Sequence, residues 1–460
     1  MTIASSIRPA YREVSDANGR VYRVGESPRD ILGGPRWLMV VLPWVAMMAI
    51  SVAEYAYGSA EEVLSSAHGW TSTDTFWVLG VWTVFQAGVA FPTGRLRERG
   101  ILTARGAMLI GAVLAGLGFF ALSHAPSVTL AILGFGVLGG AGAGMVYSTC
   151  VNIVGKWYPE RRGGKTGFVN GGFAYGSVPM IFVFTYAFDA GNYHTVLDSV
   201  GIYVLGFVAI CGWFFKDPPK NWWPEEVDPL EHSKNANDKT LSKNPPAVRQ
   251  YEPMEAIRTG MLPLMWLCLV LCSGVSIFGI SFQVPFAKEM GFGPLVAASS
   301  MGIMSIINGT GRGVTGWVSD RLGRKQTLIL VIAIEGLSQF GVLWAGDIRS
   351  EPLFLFFAFI SGFGSGAFFP MFASLVPDYF GENNNAQNYG LVYSSKLVGG
   401  LAGSGLGATV VAAWGYSGAY ALAGCFGLAS AALAMLLRQP GRTVERGVRA
   451  GSLQVSSETA

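Results

Sequence analysis

The sequence predicts an all-α membrane protein with twelve transmembrane helices in two six-helix bundles. Three observations predict it. Only 13% of the 460 residues are charged, where soluble domains carry about 25%; 51% are hydrophobic and the mean hydropathy is +0.41. Apolar runs of the length a bilayer requires, about 20 helical residues, recur twelve times. A polar segment rich in Lys, Asn, Pro and Glu divides them six and six.

The runs cover about 37–58, 74–93, 106–123, 128–151, 166–188 and 199–215, then 262–286, 296–318, 327–346, 352–376, 389–412 and 416–437. The segment between the sixth and seventh contains "SKNANDKTLSKNPPAVRQ" and reads as a flexible linker. Basic residues set the orientation. Of the 32 Lys and Arg, 28 fall in the N-terminal tail, the loops after runs 2, 4 and 8, the central segment and the C-terminal tail. Only Lys288 and Arg349 lie in loops on the opposite side. This predicts a multi-pass protein of the cell (cytoplasmic) membrane with a cytoplasmic tail (1–36), a first bundle (37–215), a cytoplasmic linker (216–261), a second bundle (262–437) and a cytoplasmic C-terminal tail (438–460).

The first 36 residues hold six arginines and no apolar core, so no cleavable signal peptide is expected. All five cysteines fall in apolar runs and read as small buried hydrophobes. The four histidines show no ligand spacing, so no metal or cofactor is expected. No nucleophile–base spacing is present, which argues against an enzyme, and a formal charge of +3 does not point to nucleic acid.

Two basic residues lie inside the membrane. Lys396 shares one helical face with Tyr389, Tyr393, Gly400 and Gly403. Arg312 shares one with Asn308, Thr315 and Ser319, among Gly309, Gly311, Gly313 and Gly316. A charge at the bilayer centre costs at least roughly 2.5–3.5 kcal/mol, so each cation needs a partner. One reading pairs them with internal acids, Glu54 in the first run or Glu335 in the ninth. The other assigns the missing negative charge to substrate. Arginine offers a planar fork matched to a carboxylate and lysine a compact point charge, so together they would clamp a small carboxylate. Glu54 has two placements open to it: the pocket, or the outer rim beside Glu61 and Glu62.

The halves repeat a cytoplasmic turn. "GRLRERGILTARG" follows run 2 and "GWVSDRLGRKQT" follows run 8. Parallel six-helix repeats are the plan of a rocker-switch transporter with its site at the midplane. The second turn resembles the loop signature of the major facilitator superfamily. That resemblance implies the major facilitator fold, with Asp320 and Arg324 as a cytoplasmic gate between bundles; in the first copy Glu98 replaces the acid.

Four blocks resemble the oxalate:formate antiporter family, a bacterial carboxylate transporter branch: "YAYGSAEEVLSSAHGWT", "GAGAGMVYSTCVNIVGKWYPERRGGKTGF", "NGTGRGVTGWVSDRLGRK" and "DYFGENNNAQNYGLVYSSK". The resemblance implies that Arg312 and Lys396 take the substrate carboxylates and that Tyr55, Gln86 and Tyr147 line the pocket. Tyr393, on the lysine face, and Glu54 join the candidate substrate-binding set. The chain departs from the family at Phe173, Ser365, Phe369 and Glu54, where a thinner aromatic cage gains an acid. The expected activity is secondary transport of small carboxylates, by oxalate/formate-type exchange. The alternative is a proton-coupled monocarboxylate (lactate, pyruvate or acetate) symporter; Asn308, where such carriers have Asp, counts against it, while Glu54 and Glu335 count for it. A channel or membrane sensor is a remoter alternative. The expected partners are small carboxylate anions, protons and the lipid bilayer.

Overall fold

A computed structural model describes residues 11–15, 21–231, 243–245, 247–381 and 384–442, apart from the side chains of Glu98, Arg162, Asp320 and Ala386. Among these residues, ten apolar helical segments are long enough to cross a bilayer. The last of them, Gln387–Met435, is two helices. Gly415 breaks it at φ 70° and ψ 176°, backbone that L side chains rarely adopt. A further helix, Pro294–Leu322, has the length but is made less apolar by Asn308, Arg312 and its glycines. These make up the twelve-helix set.

Local chemistry starts the helices. The second span, Ser72–Arg97, opens on a reciprocal capping box between Thr71 and Asp74. The third, Ala104–His124, is capped by Thr103, and the fourth, Val128–Trp157, by Ser127. Pro294 and Pro352 sit in the first turns of the eighth and tenth spans, where a missing N–H costs nothing.

Two departures from the expected layout stand out. The first helical run continues from Leu38 to His68, well past residue 58, with interruptions at Ser51 and Ala56. The tail and the linker also carry structure: β1 (Arg12–Ser15) pairs antiparallel with β2 (Val21–Val24), which pairs parallel with β3 (Trp222–Trp223). Trp222 and Trp223 are buried, and Tyr22 meets Trp223 edge-on at 5.0 Å. These apolar residues lie outside the membrane runs, where the sequence pattern predicts no element.

The six helices before the linker meet the six after it most extensively where one packs on seven, two on eleven and five on eight. Gly58 packs so tightly on Ser281 that a Cβ there would stand 2.3 Å from its carbonyl oxygen. Phe76 meets Phe282 at 4.3 Å, and Gly400 packs on Thr83. At one end Lys288 bridges to Glu62 at 2.7 Å. Toward the basic-loop end of the fifth and eighth spans, a Cβ on Gly164, Gly167, Gly313 or Gly316 would meet nothing within 4 Å among the described residues.

Candidate functional site

The discontinuities in the first and eleventh spans fall beside the charged residues. Tight i→i+3 bonds run from Glu54 N to the Ser51 carbonyl and from Ser59 N to the Ala56 carbonyl, bracketing Glu54 and Tyr55. Leu397 N bonds the Ser394 carbonyl in the same way, next to Lys396. Irregular turns at membrane depth are tolerated where they lie within protein, and here they turn polar side chains into the seam.

Lys396 meets an acid. Its Nζ donates to Glu54 Oε2 at 3.1 Å and Oε1 at 3.4 Å, and to Gln86 Oε1 at 3.2 Å. All three residues are at most 3% exposed. The pair links the eleventh span to the first, so Glu54 lies in the seam. At the rim, Glu61 accepts from Ser65 and Glu62 from Lys288.

Among the described residues, Arg312 meets only neutral oxygens. Its Nη1 donates to Asn170 Oδ1 at 2.5 Å and to the Asn170 carbonyl at 3.3 Å. Its Nη2 donates to Asn308 Oδ1 at 2.9 Å and to the Tyr55 hydroxyl at 3.3 Å. Tyr55 in turn donates to Asn308 Oδ1 at 3.2 Å, and Tyr147 donates to Asn170 Oδ1 at 3.0 Å. Arg312 is 4% exposed and, among the described residues, forms no salt bridge. Its Nε has no partner among them, and neither does the buried Gln86 Nε2. Among the described residues the site therefore holds one paired cation, one cation with no salt bridge, and two unspent donors.

Aromatic rings surround both charges. The Phe369 centroid lies 5.8 Å from the Arg312 guanidinium and 5.9 Å from Lys396 Nζ, and Phe173 lies 5.9 Å from the same Nζ. Such distances suit cation–π attraction, which strengthens in a desolvated setting. Tyr147 and Tyr393 stack across the seam at 6.4 Å, and Phe173 touches the edges of Tyr55 and Tyr147. Ser365 accepts from Asn308 Nδ2 at 2.9 Å.

The structure thus gathers Glu54, Tyr55, Gln86, Arg312, Tyr393 and Lys396, all buried, with the half-buried Tyr147 in one cluster. Asn170 is a member that the sequence pattern does not single out. Its only signal is an amide between Gly167 and Gly171 on a helix facing the seam. One expectation is corrected: Glu335 is not the partner of either cation, since Lys396 is taken by Glu54 and Glu335 lies in another helix contact. Cys425 is exposed, unlike the other four cysteines, because its helix face is turned outward. His124 and His194 stack at 4.7 Å although they are distant in sequence, and among the described residues no group of three or more potential ligands is placed to hold a metal.

The gate residues part company. Arg324 pairs with Asp378 and reaches the Ser374 carbonyl, both in the tenth span. The side chains of Asp320 and Glu98 lie outside the described part of the structure. In the first half, Asp217 takes Arg97 at 2.8 Å and Lys156 at 3.1 Å.

Twelve helices in two groups, with a buried charged cluster on the seam between them, are the build of a membrane transporter rather than an enzyme. The chain belongs to the Major Facilitator Superfamily, which it matches over residues 43–395 and 314–457; it is a multi-pass membrane protein of that transporter type. It is similar to the oxalate:formate antiporter of Oxalobacter formigenes, 24% identical over 90% of this chain and 95% of that one. It is similar also to monocarboxylate transporter 12-B of Danio rerio, 25% identical over 76% of each. Its fold resembles that of the human organic anion transporter MFSD10, with a TM-score of 0.60 at 15% identity over 87% of this chain and 100% of that one.

Proposed function

We propose that the protein carries small carboxylates across the cell membrane by alternating access, with Arg312 as the primary anion site. One observation carries this reading: a buried guanidinium whose terminal nitrogens rest on neutral amide and phenol oxygens, with Nε unspent. Leaving a buried cation uncompensated is costly. A carboxylate supplies the charge and accepts from the planar fork in one step. Gln86 Nε2 is a second donor for it, and Tyr55, Tyr147 and Tyr393 wall the site. The names of the two carboxylate-carrying relatives support the same class.

The Lys396–Glu54 pair bears on the choice of carboxylate. With Glu54 ionised the cluster carries about +1, which one monocarboxylate neutralises. A dicarboxylate such as oxalate finds its second cation only when Glu54 lets go of Lys396, for instance by taking up a proton. This favours a monocarboxylate, with oxalate/formate-type exchange as the second reading, supported by the relative that aligns over 90% of the chain. The same reading takes both termini and the linker as cytoplasmic and the bundles as 37–215 and 262–437, which the distribution of basic residues supports, and takes Asp320 and Arg324 as a cytoplasmic gate, which the resemblance of their turn to the superfamily's loop signature supports.

The test is uptake of radiolabelled formate, acetate, lactate, pyruvate and oxalate into proteoliposomes, empty or preloaded. Saturable uptake of a monocarboxylate that Arg312→Lys abolishes is expected. Failure of every carboxylate, with uptake of a neutral or cationic solute instead, overturns the proposal.

A further inference from the structure

One buried acid plays no part in the carboxylate site. Glu335 lies midway along the ninth span, Arg324–Asp347, and is 0% exposed. The helices around it are held by glycines. A Cβ on Gly364 of the tenth span would stand 2.7 Å from the Glu335 Cα, and one on Gly336 would stand 2.8 Å from Leu428 N of the twelfth. Cys272 of the seventh span shares a core cluster with Leu328, Val331 and Ile332 of the ninth; the tenth and twelfth spans bring glycine and backbone to this contact. Both Glu335 oxygens are buried with no hydrogen-bond partner among the described residues. The two intramembrane cations are engaged elsewhere, at Glu54 and at the two asparagines.

An ionised carboxylate without donors is far too costly for this setting. The group is accommodated as the neutral acid, with a proton bound. Polar side chains recur on the helices between it and the seam, although no hydrogen bond among the described residues joins them to Glu335. One turn along, Gln339 donates to Ser361 at 3.2 Å, and its own oxygen lacks a donor among the described residues. One turn further along the tenth span, Ser365 accepts from Asn308, which holds Arg312.

We infer that Glu335 is a proton-binding site of the second six helices, separate from the carboxylate site, which takes and releases a proton when the packing of the seventh, ninth and tenth spans opens during transport. The balance is simple: one carboxyl O–H breaks to leave a carboxylate, and the proton passes to solvent on the side then open. The assignment goes beyond the carboxylate reading and stands without it.

Two measurements on the full chain test it, using the isosteric neutral variant Glu335→Gln. In infrared spectra at pH 7 the parent should show a protonated-carboxylic-acid band that Glu335→Gln removes and Glu54→Gln leaves. In proteoliposomes enclosing a pH dye, proton movement accompanying the best carboxylate of the panel should fall at least tenfold in Glu335→Gln, with the dissociation constant changed less than about threefold. An acid band unaltered by Glu335→Gln overturns the site, and equal proton movement in parent and variant, or none in the parent, overturns the coupling. A panel in which no carboxylate binds overturns the proposed substrate instead, and the infrared result then decides Glu335 alone.

Discussion

Lys396 and Arg312 are two cations buried to the same degree in one seam, yet the protein treats them differently. Lys396 is given an acid from the opposite half. Arg312 is given two amide oxygens and a phenol, one of the amides from the opposite half, and keeps one donor in hand. Neutral oxygens satisfy hydrogen bonds without cancelling charge. At close range in a low effective dielectric the difference is several kcal/mol. The first cation is therefore closed by the fold, and on the proposed reading the second is where an anion gains more than it loses. In the proposed reading, what separates a structural cation from a binding site is whether the fold supplies its countercharge.

The strongest way to break the comparison is to exchange the fork for a point charge. Arg312→Lys retains the charge and loses the planar donors, and breaking a buried charged contact costs about 3–5 kcal/mol. Carboxylate binding measured by calorimetry should weaken by more than about 100-fold. The conservative change at the other cation, Lys396→Arg, should cost less, because its partner Glu54 also accepts from arginine. Equal losses at the two positions would erase the distinction.

Asn170→Asp converts the second cation into a copy of the first. The new carboxylate would sit where Asn170 Oδ1 now lies 2.5 Å from Nη1. Unliganded protein should melt higher, since a buried cation gains its countercharge, while the stabilisation by added carboxylate disappears. A variant that still gains stability from substrate as the parent does would show that Asn170 is only a scaffold. The converse, Glu54→Gln, frees Lys396. It should raise the relative affinity for dicarboxylates over monocarboxylates by roughly tenfold, one charge-assisted contact's worth, and shift net uptake toward obligatory exchange. An unchanged substrate ranking would remove Glu54 from selectivity.

Much of the fold and most of the site's members are legible in the amino-acid sequence, the two cations from the residues themselves and Tyr55, Gln86 and Tyr147 from the resemblance. Composition and run length give the helices, and i, i+4 spacing places Arg312 and Lys396 on inward faces. What the residues alone leave open is the partner. Glu54 and Glu335 are equal candidates there, because which acid meets Lys396 depends on how the first span packs on the eleventh, a contact 342 positions apart in the chain. Asn170 is silent for a related reason. An amide in a glycine-rich helix has no charge to announce it, and it acquires meaning only when Arg312 arrives from 142 positions away. The small sheet escapes the sequence pattern because its strands are four residues or fewer and one partner, Trp222–Trp223, comes from the linker.

A third cation gives the comparison its mildest test. Arg97, with a side chain 3% exposed, shares Asp217 with Lys156 at the basic-loop end of the first half. Here the acid is itself partly solvated, its side chain 30% exposed. Burial acts to raise the Asp217 pKa, but the charges and hydrogen bonds of Arg97 and Lys156 outweigh it and hold the carboxyl below its usual value. A carboxylate with a lowered folded-state pKa stabilises the fold above its ordinary pKa, near 3.9, and loses that contribution as pH falls through the lowered value. Asp217→Asn should therefore melt slightly lower than the parent at pH 7, by about 1 kcal/mol or less, as near-surface pairs do. The gap should narrow in high salt and close as the solution is acidified below the ordinary aspartate range. The seam pair should respond differently: the melting difference between Glu54→Gln and the parent should persist in high salt, since salt screens buried pairs far less than solvated ones. Melting curves for both variants across salt concentrations check this, and an equal salt response would place Glu54–Lys396 among ordinary solvated pairs and return Lys396 to the pool of cations open to substrate.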